Sequence, residues 1–494
     1  MLFVLIIALF IAFSYEPPSD PVRMTGSATA AVGTALAIAG VWLLAELFAW
    51  VTTWRLKRAF HNRGAIMRGY QRLRWLHTIV LIAGYAGVIH GLDWPAVVRI
   101  GWGLDQWILV DDVLVLFPFV AALVLSWLAH FRVEECVRRQ LGTDVPQWRS
   151  RWSHLDFLLR QQFGVVLAPL VLLVVMDDLV GLIFRDSEHR QTVQVVTEVA
   201  TFAGMIVLAP YFLRLLWRAQ PLPAGPLRDR LERLGRRLRF RSSDILLWKT
   251  DGAVVNAAVA GMVPWLRYVF LSDGLVRHLT EDEIEAVFGH EVGHIRHHHL
   301  WFFLAFLLGS SLVLLVATTT TYRLLADLLG APTVQSAMSL AHGLAAPLSA
   351  MAVYFGVFFG FLSRRFERQA DIFGCRAVSC GHSECPDLHV RDESVPGRWT
   401  LCPVGIHTFV AALEKVSMLN GSTRDTRSWR HFSIAKRVEF LERLAARPDL
   451  ERRFQRIVWA LKTLVIAALV GSGWWLWCHA RELAGAFFEI GLKS

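Results

Sequence analysis

Between Thr280 and His299 the chain reads TEDEIEAVFGHEVGHIRHHH, and at its centre His290-Glu291-Val292-Gly293-His294 forms an H-E-x-x-H run. Residues four apart share one face of a helix, so His290 and His294 can both point at one cation. Glu291 is offset from His290 by roughly 100° around the helix. That places its carboxylate beside a water on the cation, not on the cation itself. Two imidazoles, a third ligand from elsewhere and a carboxylate base next to an open position are the parts of a zinc hydrolase.

The flanking residues predict the helix that must carry these groups. Thr280 with Glu283 three residues on is a capping-box pattern. Glu281, Asp282 and Glu283 put negative charge in the first turn, where the helix dipole favours it. Ile284, Val287 and Phe288 supply an apolar stripe.

The third ligand has to come back from a distance. Trp301–Tyr322 and Met338–Leu362 are apolar and long enough to cross a bilayer and return. The polar helical run Ser363–Asp371 then lies on the same side as the histidines. Glu367 is its candidate metal ligand, and Asp371, four residues on, suits accepting the free N–H of a metal-bound histidine. His298, four beyond His294, is an alternative third ligand; otherwise His297, His298 and His299 are interfacial residues at the start of the next span.

The whole chain has 494 residues, 54% of them hydrophobic, and a mean hydropathy of +0.43. This composition predicts a mainly α, polytopic helical membrane protein, and the H-E-x-x-H helix with the short strands before it predicts a zincin-like α+β metallopeptidase domain on the cytoplasmic side. Expected spans are Ala28–Trp54, then about 75–92, 108–130, 160–184 and 195–217, then the hairpin above and Phe454–Cys478. Met1–Phe13 is a short first span or an interfacial helix. The net charge of +10 reflects basic loops at Arg55–Arg74 and 131–156, which the positive-inside rule places in the cytoplasm. Because no basic stretch matches a nucleic-acid-binding module, the charge does not point to that partner class. Asp111, Asp112, Asp177, Asp178 and Glu198 fall in or at the ends of spans, either lining a polar chamber or sitting at headgroup depth.

The expected organisation is a multi-span region over 1–217, then a juxtamembrane helix, small sheet and H-E-x-x-H helix over 218–299. A transmembrane hairpin follows over 300–362, the third-ligand helix, a cysteine-rich loop and the rest of the peptidase domain over 363–455, and a last span and tail over 456–494. Short apolar runs at Ile245–Trp248, Ala253–Val259 and Tyr268–Leu271 read as strands. A small sheet leading into the metal helix suggests an edge strand on which an extended peptide could add. Ile406–Leu419 and Phe432–Leu444 read as amphipathic helices beneath the metal helix. Of the six cysteines, four cluster between 375 and 402; Cys380, Cys385, His389 and Cys402 could build a second, structural zinc site, but their spacing matches no tight C-x-x-C pair and free thiols are the simpler reading.

Several of these features converge. Leu279-Thr280-x-x-Glu283 leading into the H-E-x-x-H run, with Glu367-x-x-Ala370-Asp371 after a hairpin, resembles the integral-membrane zinc metallopeptidases of the CAAX prenyl protease type and their bacterial heat-shock relatives. Asn256-Ala257-Ala258 is similar to that family's substrate strand, with Ala258 where an aromatic is usual. Trp429-Arg430-His431-Phe432-Ser433-Ile434-x-x-Arg437 is similar to its C-terminal segment, with Phe432 in place of proline. The resemblance covers about 220 to 445; the earlier spans, the cysteine loop and the last span depart from it. It implies one catalytic Zn²⁺, peptide-bond hydrolysis, and substrates that are membrane-associated or prenylated proteins.

On that basis His290, His294 and Glu367 hold zinc, Glu291 is the base, and Arg437 or His431 stabilises the oxyanion. A site-2-type intramembrane protease is disfavoured because the motif lies on an acid-rich helix, not within an apolar span. A zinc-stabilised scaffold or receptor without turnover is the alternative outside the enzymes, and a transporter lacks the internal repeat it would need.

Overall fold

Apolar runs of this length bury best as long helices, whose backbone groups satisfy one another internally. The computed structural model describes residues 2–15, 17, 25–105, 107–141, 150–185, 187–252, 254–329, 354–379, 401–420, 424–425, 432–447 and 449–491. They form two units: Met1–Gln220 with Trp248–Val254, and Pro221–Leu247 with Val255–Ser494. Most of the expected return span Met338–Leu362, together with Cys380, Cys385, His389 and His431, lies outside the described residues.

The first unit is helical: α1 (Leu2–Phe13), α2 (Ser27–Arg58), α3 (Arg63–Ala86), α4 (Val110–Leu141), α5 (Arg151–Leu158), α6 (Val165–Ile183) and α7 (Arg190–Leu216). Among the described residues of the whole chain, five helical stretches are long and apolar enough to cross a membrane. They are Ser27–Arg58, Phe60–Gly91, Val110–Gln140, Arg190–Leu216 and Asp449–His479. The chain is a polytopic helical membrane protein. The basic stretch Arg55–Arg74, expected as a loop, is instead the end of α2 and the start of α3, joined by a tight turn at Phe60–Asn62. Arginine and lysine are good helix formers, and Arg55, Lys57 and Arg58 complement the C-terminal end of the α2 dipole.

Four of the five acids singled out in this unit are engaged by neighbours. Arg99 forks between Asp111 at 2.8 Å and Asp112 at 2.9 Å. Asp178 accepts from the Leu109 N–H at 3.1 Å, and Asp177 from the Gln194 amide at 2.6 Å. Glu198 is exposed.

The second unit carries a four-stranded sheet in the order β1-β2-β4-β3, with β1 Gln220–Pro221, β2 Asp244–Trp248, β3 Ala257–Ala260 and β4 Tyr268–Ser272. β3 is an edge strand, antiparallel to β4 with Ala258 opposite Phe270 and Val259 opposite Val269. Its helices are α8 (Pro226–Arg237), α9 (Asp273–His278), α10 (Glu281–Arg296), α11 (His299–Leu329), α12 (Gly360–Ala377), α13 (Pro403–Leu419), α14 (Ile434–Ala446) and α15 (Asp449–Gly491). The core beneath the sheet includes Leu231, Val269, Leu271, Leu275, Ile284, Phe288 and Val292. A second cluster, Ala286, Ile372, Cys375, Ile406, Phe409, Leu441 and Leu444, joins α10 to α12, α13 and α14. Cys402 is buried at the N-cap of α13, where its Sγ accepts from the Gly405 N–H at 3.3 Å.

The capping box at the start of α10 forms: Thr280 Oγ1 accepts from the Glu283 N–H, and Glu283 accepts from the Thr280 N–H at 2.8 Å. The acidic first turn has a second use. Arg230 of α8 reaches Glu281 at 3.0 Å, Asp282 at 2.6 Å and Glu285 at 3.0 Å, tying α8 to α10.

α10 and α12 lie almost backbone to backbone. A Cβ on Gly289 would come within 2.4 Å of Ala377 Cβ, and one on Gly293 within 3.1 Å of Ala370 Cα. Gly289→Ala gains about 1 kcal/mol of helix propensity but incurs about 1–3 kcal/mol of overpacking. It should therefore lower the thermal midpoint of the purified protein, and Ala377→Gly in the same chain should restore most of the loss.

Candidate metal centre

His290, Glu291 and His294 sit in the third and fourth turns of α10, where the helix is already locked by its cap and its buried stripe. α12 runs across them. The Nε2 atoms of His290 and His294 are 3.3 Å apart. Glu367 of α12 places one carboxylate oxygen 3.7 Å from His290 Nε2 and the other 3.7 Å from His294 Nε2. Among the described residues, this trio is the group of His, Cys, Asp and Glu side chains whose ligand atoms lie close enough to hold one ion, all within 4.8 Å of one another. The donor set fits a divalent cation: two imidazole nitrogens meet edge on, where at most one could carry a proton, and a buried carboxylate faces both.

Asp371, four residues past Glu367, is fully buried. Its Oδ1 lies 3.0 Å from His290 Nδ1, off the line of a strict hydrogen bond, so the contact is chiefly electrostatic. Arg437 of α14 grips the same carboxylate with both arms of its fork, Nε donating to Oδ2 at 2.8 Å and the second nitrogen to Oδ1. Asp371 stays ionised: burial raises its pKa, but Arg437 and His290 together hold it below the usual range. Burial pulls the His290 pKa down, yet Asp371 and Glu367 leave it net above the ordinary value. The two carboxylates that favour a proton there equally favour a dication between the rings. His294 is pushed down to about 4, mainly by burial, which keeps it neutral and able to donate a lone pair.

Glu291 is pushed up to about 7, first by burial and then by the Glu367 charge, with His290 opposing. A cation among the three ligands would pull it back down. Its Oε2 accepts from the Val259 N–H of β3 at 3.1 Å, so the carboxylate is pinned between metal helix and edge strand.

These groups line a cleft of about 580 Å³ with Asn256, Ala257, Ala258 and Val259 along one wall. Leu275, Val287, Phe409, Leu413 and Val416 form an apolar recess, and Arg437 and Phe432 also face the cleft. The expected substrate strand, base and ligand trio are thus brought together. Arg437 is on the cleft wall, but its guanidinium is committed to Asp371. His431 lies outside the described residues.

His298 stays out of the ligand group. The helix ends at Arg296, and His298 takes φ of 57° on the way to α11, which leaves α10 at 47°. The four-residue spacing from His294 therefore fails at the break: His298 is exposed and His299 turns inward, its Nδ1 2.9 Å from His294 Nδ1. Sequence reading had no signal for this, because the reversal depends on a left-handed residue that is not glycine.

Asp371→Asn should leave Arg437 without its counter-charge and His290 without a carboxylate. Loss of such an orienting group typically lowers metal affinity about 10–100-fold; metal analysis after dialysis against a weak chelator checks it.

Comparison with known proteins places this geometry. Residues 221–457 match Peptidase family M48. Protease HtpX of Hydrogenovibrio crunogenus is 49% identical over 45 residues, 9% of this chain and 15% of that protein. The Protease HtpX homolog of Aeropyrum pernix is 31% identical over 93 residues, 18% of this chain and 28% of that protein. The chain thus spans less than a third of either relative's length in these matches. S. mikatae Ste24p, a solved structure, aligns over 83% of this chain and 98% of its own, at 15% identity and a TM-score of 0.49. The matched stretch, just under half of the chain, contains the candidate ligand trio, the candidate base Glu291, the edge strand and the Asp371–Arg437 pair, and over it the chain is similar to Peptidase family M48.

Proposed function

We propose that this protein is a zinc endopeptidase that cuts membrane-associated proteins, prenylated or misfolded chains among them, at the cytoplasmic face. The observation that carries the reading is the convergence of His290, His294 and Glu367 beside Glu291 and an open strand edge. Tetrahedral zinc with bonds of about 2.05 Å to nitrogen has donor–donor edges of about 3.3 Å, and the two Nε2 atoms stand 3.3 Å apart. His290, His294 and Glu367 would hold the ion, which when bound supplies Lewis acidity to a water and to the scissile carbonyl.

The chain's own groups do the rest. Backbone positions alternate along β3, and Val259 turns its N–H away from β4 toward Glu291. Ala257, two residues back, faces the same open side. An extended peptide can add there by backbone hydrogen bonds, with a side chain in the recess of Phe409, Leu413 and Val416. Glu291 takes a proton from the attacking water on its carboxylate and returns it to the leaving nitrogen. Arg437 acts mainly through Asp371, keeping that carboxylate ionised and the His290 ring in place; any oxyanion contact from it, or from His431, is secondary in this scheme.

Arg228, Arg230, Arg233, Arg236 and Arg237 on α8, in the same unit as the site, support a cytoplasmic site by the positive-inside rule. A complete ligand set with a base beside it weighs against a scaffold without turnover.

Glu291→Gln should keep one zinc per chain while cleavage of a casein-like unfolded substrate falls by about 10²–10⁴. Chelation should abolish cleavage in the wild type and zinc should restore it. Retained turnover in the Gln variant would overturn the base assignment; turnover indifferent to chelation would overturn the metal reading.

A further inference from the structure

His299 is the first residue of α11 and is fully buried. Its ring lies flat on Phe366, with centroids 4.2 Å apart and planes 4° from parallel, so the imidazole plane is fixed. Its Nδ1 is 2.9 Å from Nδ1 of His294, the nitrogen on the far side of that ring from Glu367. Its Nε2 is 2.9 Å from Oε1 of Gln369. The Gln369 amide N–H in turn donates to Oε1 of Gln455 on α15. Side chains from four helices therefore make one hydrogen-bonded row that ends at the back of a metal ligand.

The row has a direction. A neutral imidazole has one donor and one acceptor. With the amide group of Gln369 given to Gln455, its oxygen faces His299 and must accept, so the His299 proton is on Nε2. Nδ1 of His299 is then a bare acceptor, and His294 must donate to it from Nδ1. That leaves Nε2 of His294 with an exposed lone pair, pointed at Glu367 and His290. Turning the Gln369 amide over would reverse every step and put a proton on His294 Nε2, where the cation belongs.

We propose that His299 and Gln369 are positioning residues that select the metal-binding tautomer of His294 and fix its ring angle. The inference rests on the zinc reading above. It also makes the two histidine ligands unequal: His290 is backed by an ionised carboxylate, His294 by a neutral imidazole and amide. α12 supplies both arrangements, with Asp371 for one ring and Phe366 and Gln369 for the other.

The test uses the purified full-length protein in detergent, with zinc affinity measured by competition against a chromogenic chelator. His299→Leu and Gln369→Leu remove the acceptor and should weaken zinc about 10–100-fold. His299→Asn keeps an acceptor oxygen near the Nδ1 position, and Gln369→Glu keeps one toward His299, so both should stay close to wild type. Melting of the zinc-free proteins separates this from a general packing defect: a positioning effect leaves the zinc-free midpoint in place and shrinks the zinc-induced rise, which follows affinity. If His299→Leu does not fold, the two Gln369 variants, one bond further out, decide. Wild-type affinity in the Leu variants, or equal loss in the Leu and the conservative variants, would overturn the proposal. A wild-type protein that takes up no zinc would overturn the metal reading, and this inference with it.

Discussion

The close contact of α10 with α12 is the constraint on which the site depends. Gly289 and Gly293 on one helix and Gly374 on the other remove the side chains that would hold the backbones apart. Only at that separation can Glu367 reach both histidine rings, while Asp371 backs His290 and Phe366 flanks His299. One helix thus carries the candidate ligand Glu367 together with the residues that touch His290 and His299. Buried on both sides, it has little freedom to let the carboxylate swing away.

Burying so many charged groups has a cost, and the arrangement limits it. A buried ion pair contributes little net stability, whereas breaking one by removing a partner typically costs about 3–5 kcal/mol. Asp371 and Arg437 are therefore better understood as a geometric device than as a source of stability. The fork of Arg437 fixes the plane of the carboxylate, and the carboxylate fixes the ring. Glu367 faces both rings and Asp371 backs His290, so two carboxylates favour a cation between the rings. The sheet contributes through its edge: Val259 holds Glu291, and the outward groups of β3 remain beside it.

The Met1–Gln220 unit solves a different problem. Several of its polar side chains lie among apolar helices and are matched within the unit, as with Tyr70 and His130 at 2.9 Å or His77 with Ser126 and the Val41 carbonyl, both at 3.2 Å. Arg99 with Asp111 and Asp112 belongs to the same pattern. Unpartnered polar groups are expensive in hydrocarbon, so such pairing is what lets these residues persist in spans.

Sequence alone determined what depends on neighbours along the chain. The four-residue repeat put His290 and His294 on one face, Thr280 and Glu283 specified the cap, and the apolar runs marked the five described helices long enough to cross a bilayer. The Glu367–Asp371 spacing was legible for the same reason, once the hairpin logic returned it to the histidines. What only the tertiary structure decided depends on residues far apart in sequence and on a break in regular geometry. Helical counting from His294 named His298; a left-handed residue at the α10–α11 break turned His299 inward instead, onto Phe366 and Gln369. Likewise Arg437 could be read as a catalytic cation until packing set its guanidinium against Asp371, because a side chain's electrostatic partner is chosen by the fold and not by its position along the chain.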